Sequence, residues 1–427
     1  MEVMFDVAAG IDVHRDILVV SVRRAGERGR EQVETRTFST FHDGLVRMVA
    51  WFDEQGVPVV GLESTGVYWK PVVLALRARS PSRVVWLVNP AEVKKVPGRK
   101  TDVKDSEWLS KLVMHGLVAP SFLPPPEQAE LRQLTRFRTK ATGDLTRCKN
   151  RIIKELEGSG IKLASVCTDP LGKSARAMLE ALLEGKKTVE EIADLALGKL
   201  RSKIPDLKRA LVGTFTEATR VILRQLIASL SYIERDIKAL DEHITQRLAP
   251  SQRDVDLLLT MPGVERVAAA AILAEIGSDM SVFDKADRLA AWGGVCPGSN
   301  ESAGKAKPSP TRKGDKYLRS ILVQAAQAAK NTRGSFWREV YYRLVPRLGK
   351  PKTIMAIAHK MLVAAFYMLR DGVPYRAPSS QPPSPPKTAR LVQQYTRRLA
   401  ALGFDVTLSP VAASPPEPGA AILAPAT

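Results

Sequence analysis

The stretch VAAGIDVHRDILVVSV, residues 7–22, decides the fold class of the N-terminal part of the chain. It holds two apolar, β-branched runs, at 7–13 and 17–22, which are separated by the polar segment His-Arg-Asp. Two such runs joined by a tight polar connection predict a β-hairpin. Asp12 lies inside the first run, where a carboxylate is costly to bury without a partner. The stretch therefore predicts a sheet and, within it, a special role for Asp12.

The segments after this hairpin alternate between strand and helix patterns. A third, more polar strand is predicted at 33–38 near a sheet edge, a helix at 41–55, and two short buried strands at 57–62 and 83–88. Three antiparallel strands, a helix, and then strands alternating with helices is the order of an RNase H-like fold. We therefore predict an α+β fold class, with an RNase H-like domain over residues 1–120.

The rest of the chain is predicted to be mostly helical. Residues 121–250 form a region of long helices, in which apolar residues from Leu223 to Ile244 alternate at spacings of three and four. That heptad pattern is explained equally by a helical hairpin within one chain and by a coiled coil between chains. A second, mostly helical domain is predicted over 251–372, followed by a Pro- and Ala-rich, mostly disordered tail over 373–427.

The charge balance predicts a polyanionic partner. The 427 residues include 64 Lys and Arg against 45 Asp and Glu, a net charge of +19. Nucleic acid is the first candidate for such a chain, ahead of an anionic membrane surface. No apolar run reaches the ~18 residues of a spanning helix, and no signal-peptide layout opens the sequence, so no membrane partner is expected. Three scattered cysteines without metal spacing indicate a reducing, cytoplasmic location.

Four acidic residues form an ordered set. Asp12 lies in the first strand, Glu63 ends a later strand, and Asp102 and Asp105 are three apart, which makes them neighbours on one face of a predicted helix. Each has an ordinary explanation alone, such as stabilisation of Asp102 by a helix dipole or a surface ion pair for Asp105. Close carboxylates repel, however, and a divalent cation removes that cost. Because these positions converge in an RNase H-like sheet, the set predicts a Mg²⁺ or Mn²⁺ site.

Basic residues accompany both the acidic pair and a Gly-, Ser- and Pro-rich segment at 297–314. Such a segment is most often only a connector, but its basic content suits phosphate binding. The residues predicted to contact nucleic acid are Lys94, Lys95, Arg99, Lys100, Lys305, Arg312, Lys313, Lys316 and Arg319.

The segment LLLTMPGVERVAAAAILAEIG, residues 257–277, has two explanations. A helix, a tight turn and a second helix are typical of a helix-hairpin-helix, which grips a backbone phosphate through its turn amides. Glu265 occupies the place of the usual second glycine of that turn. An alanine-rich packing hairpin is an equally good interpretation.

Several segments resemble one family. GIDVHRD at 10–16, GLESTGVYW at 61–69, VNPAEVK at 88–94 and RKTDVKDSEWL at 99–109 resemble bacterial transposases of the insertion sequence one-hundred-ten type, the Piv-like, bridge-RNA-guided recombinases. These join a RuvC-like domain to a serine-bearing C-terminal domain. The resemblance implies that Asp12, Glu63, Asp102 and Asp105 correspond to the DEDD tetrad of RuvC-like nucleases, which binds divalent metal and acts on DNA phosphodiesters.

The segment from Pro297 to Arg319 resembles the second signature of the same transposases. The resemblance places the nucleophilic serine on Ser302, with Ser299 as the second choice, and Ala303 stands where the family commonly has glycine. It implies a covalent 5′-phosphoserine intermediate, double-stranded DNA and a structured non-coding guide RNA as partners, and a homo-oligomer.

The leading prediction is therefore a DNA transposase or recombinase that excises and inserts a mobile element. Two alternatives stay open. A metal-dependent, Holliday-junction-type endonuclease would need the carboxylates but no serine. A non-catalytic nucleic-acid-binding scaffold would need neither, and the order of the acidic residues together with the loop signature argues against it.

Overall fold

A computed structural model describes most of the chain. The described residues are 3–26, 30–64, 66–96, 105–298, 301–302, 305–306, 310–378 and 385–407. Residues 1–375 form one compact unit, and residues 376–427 form another. The second unit contains one described helix, Pro385–Ala401.

A five-stranded mixed sheet forms the N-terminal core. Strands β1 (Val7–Val13), β2 (Ile17–Ala25) and β3 (Glu31–Ser39) are antiparallel, and β4 (Val59–Glu63) and β5 (Val84–Val88) continue the sheet in parallel with β1. The strand order is β3-β2-β1-β4-β5. The predicted α+β class is confirmed, and β3 is an edge strand as predicted. The arrangement is consistent with an RNase H-like domain.

Helices cover both faces of this sheet. On one face, α1 (His42–Glu54) and α2 (Trp69–Arg79) bury their apolar stripes against β1, β2 and β4. On the other face, α4 (Asp105–Met114) packs against β1 and β4, together with the short α3 (Pro90–Val93). Each predicted element in this region occurs within about three residues of its predicted bounds.

Helix α4 lies unusually close to the sheet because glycines face it. A Cβ atom on Gly10 would be 2.3 Å from the Ser106 carbonyl oxygen and 2.4 Å from the Ser110 amide nitrogen. A Cβ on Gly61 would be 2.4 Å from a methyl group of Val113. Only a residue without a side chain permits such an approach. The two glycines therefore fix the distance between α4 and strands β1 and β4.

Two long helices pair in an antiparallel hairpin, which we call the helical arm: α5 (Pro126–Gly158) and α10 (Glu217–Leu248). Ion pairs join Arg247 to Glu130 and Arg138 to Asp241 across the two helices. Helix α10 packs along α5 of the same chain, and three of its apolar heptad residues, Leu223, Leu230 and Ile244, are buried in the protein. Of the two explanations for the heptad pattern, the structure shows the hairpin within one chain.

The tip of the helical arm carries a small helical cluster with its own apolar core. Its helices are α6 (Leu163–Val166), α7 (Lys173–Glu184), α8 (Val189–Ala193), a 3₁₀ segment (Gly198–Lys203) and α9 (Ile204–Ala210). Residues 126–248 are thus almost entirely helical, as predicted.

A helical core follows the arm and contains most of the remaining described residues of the first unit. It comprises α11 (Gln252–Leu259), α12 (Arg266–Ile276), α13 (Ala286–Trp292), α14 (Lys316–Asn331), α15 (Phe336–Leu348) and α16 (Lys350–Asp371), with 3₁₀ turns at Ala249–Ser251 and Met280–Phe283. The described helix of the second unit is α17.

The turn between α11 and α12 is a packing turn. Gly263 has φ +88°, and a Cβ there would lie 2.5 Å from the Ala325 carbonyl oxygen on α14. Helix α12 is buried along most of its length, including Ala268, Ala269 and Ala270. Of the two interpretations of this segment, the structure favours the alanine-rich packing hairpin.

Among the described residues, α16 is long and apolar enough to cross a membrane by length and composition, in contrast to the prediction that no segment reaches the length of a spanning helix. More than half of its apolar stretch is buried inside the protein, against α13, α14 and α15. Burial at the centre of a helical core explains this composition without a membrane.

Candidate active site

Two of the predicted acidic residues are neighbours at one edge of the sheet. In the parallel pair of β1 and β4, Ile11 lies opposite Leu62. Asp12 and Glu63 each follow by one residue, so they occupy adjacent positions at the carboxyl ends of these strands. Side chains alternate along a strand, and both residues therefore share the face of Gly10 and Gly61, which α4 covers.

The start of α4 lies at the same edge. Ser106, in its first turn, contacts Gly10 near the carboxyl end of β1. At its other end, the Met114 carbonyl accepts hydrogen bonds from the amides of Met4 and Phe5, which precede β1. Helix α4 therefore runs antiparallel to β1, and Asp105, its first residue, is held at the edge that carries Asp12 and Glu63.

The structure thus brings three of the four predicted metal ligands to one edge, whereas Asp102 lies outside the described residues. Asp12 is 31% exposed, and its Oδ2 is 3.1 Å from His14 Nε2. Within the described ranges no three His, Cys, Asp or Glu side chains are close enough together to hold an ion. The donors are nevertheless hard carboxylate oxygens, which suit Mg²⁺ or Mn²⁺. On their chemistry, these residues fit a divalent cation.

Buried hydroxyl groups hold α4 in place above the sheet. Ser21, on β2, hydrogen-bonds to Ser106 on α4 at 2.8 Å and to Thr35 on β3 at 2.8 Å. Both serines are fully buried. Buried polar groups are costly when unpaired, so this network specifies one position of the helix. A serine inside an apolar strand is the sequence signal for this network, and Ser21 was not among the predicted site residues.

Arg23, also on β2 and buried, extends the same network. Its guanidinium donates to the Ser110 hydroxyl at 3.2 Å and to the Glu107 carbonyl at 3.0 Å, and it pairs with Glu31 on β3. Glu31 also accepts a hydrogen bond from His115 at 2.9 Å. Burial opposes ionisation of Glu31, but the His115 and Arg23 contacts outweigh it and lower the pKa of this carboxyl.

The basic segment before the acidic pair is described only in part. Lys94 and Lys95 follow α3 and are exposed, and Lys95 Nζ lies 2.6 Å from a Glu92 carboxylate oxygen. Arg99 and Lys100 lie outside the described residues. Because the Glu92 carboxylate partly neutralises the Lys95 ammonium, Lys95 attracts a phosphate less strongly than an unpaired lysine would.

The segment that carries Ser302 lies between α13 and α14 and begins and ends in a paired stem. We call the segments 292–298 and 310–315, with strands β6 (Glu301–Ser302) and β7 (Lys305–Ala306), the serine hairpin. Its stem contacts are Gly298 N–H to Pro310 O (2.9 Å), Arg312 N–H to Cys296 O (3.2 Å), Asp315 N–H to Trp292 O (3.1 Å) and a bridge between Pro297 and Thr311.

Two glycines bring the sides of this stem together at its base. Gly294 has φ +66°, and a Cβ on Gly314 would lie 2.3 Å from the Gly294 amide nitrogen. At the other end, Ser302 pairs with Lys305 as the last residue of β6. Ser302 is therefore at the end of the short ladder, while Ser299 lies outside the described residues.

The other predicted basic residues lie along the serine hairpin and the start of α14. Arg312, Lys313 and Lys316 are exposed, and Arg319 is partly buried. The Lys316 ammonium lies 5.2 Å from the centroid of the Tyr317 ring. These residues present positive charge at the base of the hairpin.

The carboxylates belong to the N-terminal sheet, and Ser302 belongs to a hairpin on the helical core. One connecting segment touches both. The Ser121 amide donates to the Leu87 carbonyl of β5 at 2.7 Å. The next residue, Phe122, packs its ring against Phe283 and Trp292 of the helical core.

Comparisons with known proteins match the chain in two parts. Residues 9–160 match a transposase model of the DEDD type, and residues 255–342 match a model described as transposase, IS116/IS110/IS902 family. Together the two matches cover more than half of the chain.

The individual relatives reported below share about a quarter of their aligned residues with this chain. The IS900 uncharacterized 42 kDa protein of Mycobacterium paratuberculosis is 27% identical over 298 residues, which cover 65% of this chain and 73% of that protein. A probable family 20 transposase of Pseudomonas aeruginosa is 25% identical over 63% of this chain and 70% of its own length. The putative transposase y4pF/y4sB of Sinorhizobium fredii is 24% identical over 78% of each chain. With an acidic edge on the sheet, a serine hairpin, and both family models matched in order, the chain belongs to the IS110/IS116 family of transposases.

Proposed function

We propose that this transposase cuts and rejoins DNA at the ends of a mobile element, using metal-bound carboxylates and Ser302. The observation that carries the proposal is the position of Asp12 and Glu63, side by side at the carboxyl ends of β1 and β4, with Asp105 held at the same edge. In this proposal residues 1–120 supply the carboxylates and residues 251–372 supply the serine.

Asp12, Glu63, Asp102 and Asp105 are the residues that would hold Mg²⁺ or Mn²⁺. When bound, such an ion stabilises the charge that develops on a phosphate oxygen during displacement. The chain's own contribution is to keep the carboxylates in register. The glycine contacts and the buried hydroxyl network of α4 do this for Asp105.

Ser302 would act as the nucleophile. Its Oγ attacks phosphorus, a Ser–O–P bond forms, and the bond from phosphorus to the 3′ oxygen breaks, which leaves a 3′-hydroxyl that takes up the proton. A 3′-hydroxyl of another strand then attacks the phosphoserine, restores a phosphodiester and releases the serine. No phosphodiester energy is lost in this exchange. Arg312, Lys313 and Lys316, which are exposed, would bind the DNA backbone.

The partners we propose are double-stranded DNA, a structured guide RNA and further copies of the chain. The net charge of +19 supports polyanionic partners. Guidance by RNA rests on the family resemblance of the sequence motifs. A DNA substrate places the working protein in the cytoplasm.

The test is to trap and map a covalent protein–DNA adduct. Wild-type protein with Mg²⁺ and element-end DNA should give an adduct whose phosphate maps to Ser302 by mass spectrometry. Ser302→Ala should abolish the adduct, and Ser299→Ala, the matched control, should keep it. Asp12→Asn and Glu63→Gln should abolish cleavage while DNA binding is retained.

The outcomes separate the alternatives. Strand cleavage by Ser302→Ala without any adduct would identify a metal-dependent nuclease. An adduct on Ser299 would move the nucleophile. If Asp12→Asn and Glu63→Gln left every activity unchanged, the carboxylate edge would have no catalytic role.

A further inference from the structure

We propose that Arg136, on the helical arm, positions the serine hairpin through Asp315. The proposal rests on the proposed function of Ser302 for its catalytic consequence, but not for its structural content. Arg136 and Asp315 touch neither DNA nor metal in this proposal, and they act through the stem that carries the serine.

Asp315 joins two structural elements at the base of the serine hairpin. Its backbone amide donates to the Trp292 carbonyl and so closes the stem. Its Oδ1 accepts hydrogen bonds from the amides of Tyr317 and Leu318, at 2.8 and 2.9 Å, and caps α14. A side chain that caps a helix in this way fixes the direction in which the chain enters it. The orientation of the stem therefore depends on where Asp315 is held.

Arg136 holds the remaining oxygen of that carboxylate. Its Nη2 donates to Asp315 Oδ2 at 2.6 Å, across 179 residues of sequence. The guanidinium also lies 4.7 Å from the centroid of the Tyr317 ring, at the first turn of α14. A planar guanidinium with a carboxylate at its edge and a ring on its face has little freedom to move.

Arg136 is in turn fixed by Glu275 on α12. Its Nε and Nη2 donate to the two oxygens of Glu275, both at 2.7 Å. Arg132, one turn earlier on α5, approaches Glu275 at 2.9 Å and donates to its backbone carbonyl at 2.6 Å. Burial raises the pKa of the Glu275 carboxyl even beside these two cations. The pair of arginines thus anchors the base of the helical arm inside the core.

The same junction receives the segment from the N-terminal sheet. The Arg132 guanidinium lies 5.3 Å from the centroid of the Phe122 ring and 5.8 Å from that of Trp292. Trp292 is the residue whose carbonyl closes the stem with Asp315. The base of the arm, the connecting segment and the serine hairpin consequently meet at one charge network around the buried carboxylate of Glu275.

The experiment compares Arg136→Met with Arg138→Met in the full chain. Arg138 lies on the same helix and forms an ion pair with Asp241 within the arm, so its variant loses an arginine pair without touching Asp315. Hydrogen exchange is followed at the stem amides of Gly298, Arg312 and Asp315, without DNA. We expect exchange at these amides to rise about tenfold or more in Arg136→Met, less in Arg136→Lys, and to stay at the wild-type rate in Arg138→Met.

Asp315→Asn provides a second variant that keeps the helix cap. Asparagine retains a capping oxygen for Tyr317 and Leu318 but loses the anionic oxygen that faces Arg136. It should accelerate stem exchange as Arg136→Met does, and the double variant should add little to either change. The Asp315→Asn measurement tests the positioning role of the Arg136–Asp315 contact if Arg136→Met fails to fold.

A second experiment measures adduct formation with element-end DNA. Adduct formation in Arg136→Met should fall about tenfold or more, with DNA binding within about twofold of wild type. Stem exchange at the wild-type rate in both Arg136→Met and Asp315→Asn would overturn the positioning role. If stem exchange is faster in these variants but the wild-type protein forms no adduct, the positioning role stands and the proposed function is refuted instead.

Discussion

Substituting Gly10 by alanine tests whether the closeness of α4 to the sheet controls the candidate active site. The added Cβ would lie 2.3 Å from the Ser106 carbonyl oxygen, a backbone atom that cannot rotate away. An ordinary van der Waals contact is about 3.4 Å, so α4 must move by about 1 Å. Overpacking of this kind costs about 1–3 kcal/mol.

The same shift strains the buried hydroxyl network. Ser21 and Ser106 are joined at 2.8 Å, and each would lose a partner inside the protein. An unsatisfied buried polar group costs about 1–3 kcal/mol. We therefore expect Gly10→Ala to lower the free energy of opening of α4 by about 2–6 kcal/mol. A displacement of about 1 Å at Asp105 should also lower DNA cleavage by about a hundredfold.

Hydrogen exchange of the α4 amides measures the first effect, and a cleavage assay measures the second. Gly61→Ala is a graded control, because its Cβ would meet the flexible end of Val113, which can rotate, and its cost should be smaller. Gly158→Ala has open space around the added atom and should leave α4 unchanged. Protection of α4 in Gly10→Ala within about twofold of wild type would refute the reasoning.

Three further predictions concern pH, metal and the helical arm. Because the pKa of Glu31 is lowered from its ordinary value of 4.5, its pairing with Arg23 and His115 stabilises α4 above that value. This contribution should disappear as the pH falls through the lowered pKa, and hydrogen exchange should show no such loss in Glu31→Gln. Mg²⁺ at about 100 times its Kd should stabilise the N-terminal domain by about 2.7 kcal/mol in thermal unfolding. Asp12→Asn should remove that gain, and an equal gain in the variant would place the ion elsewhere. Leu230→Ala should cost about 2–5 kcal/mol in urea unfolding of the arm. The loss should not depend on protein concentration, because Leu230 packs within its own chain, and a dependence would indicate pairing between chains.

The N-terminal fold was predictable because its signals are local. The apolar runs on either side of His-Arg-Asp are sufficient to define β1 and the start of β2. The prediction for β2 ended at Val22, whereas the strand continues to Ala25. Arg23 interrupts the apolar pattern, yet it is buried because Ser110, Glu107 and Glu31 satisfy it from other elements. Partners that are distant in sequence leave no trace in the local pattern.

The heptad pattern of α10 shows a second limit. Apolar residues at these spacings need another helix to cover them, and the sequence is the same whether that helix belongs to the same chain or to another. The ion pairs of Arg138 with Asp241 and of Arg247 with Glu130 set the antiparallel register with α5.

The candidate site likewise has residues that were predicted from the sequence and residues that were not. Asp12, Glu63 and Asp105 were predicted as a set, because their order along the chain matches strand ends and a helix start that converge in the sheet, although each alone has an ordinary explanation. Arg136 and Asp315 belong to no such ordered set in the sequence, so their ordinary local explanations, an arginine on an arginine-rich helix and an aspartate before a helix, were not questioned. Only their contact across the fold gives them a joint role.

The antiparallel arm leaves the core and returns to it at nearly the same place, with Glu130 and Arg247 paired at 2.8 Å. In topological terms, everything beyond that pair is an insertion. A chain that loses an insertion whose two ends adjoin need close only a short loop, at a modest entropic cost. The arm could therefore be shortened by whole helical turns on the tip side of the Arg138–Asp241 ion pair, while the Arg136 contacts are kept. Arm length is then adjustable during evolution or in engineering, independently of the two elements proposed to carry the chemistry.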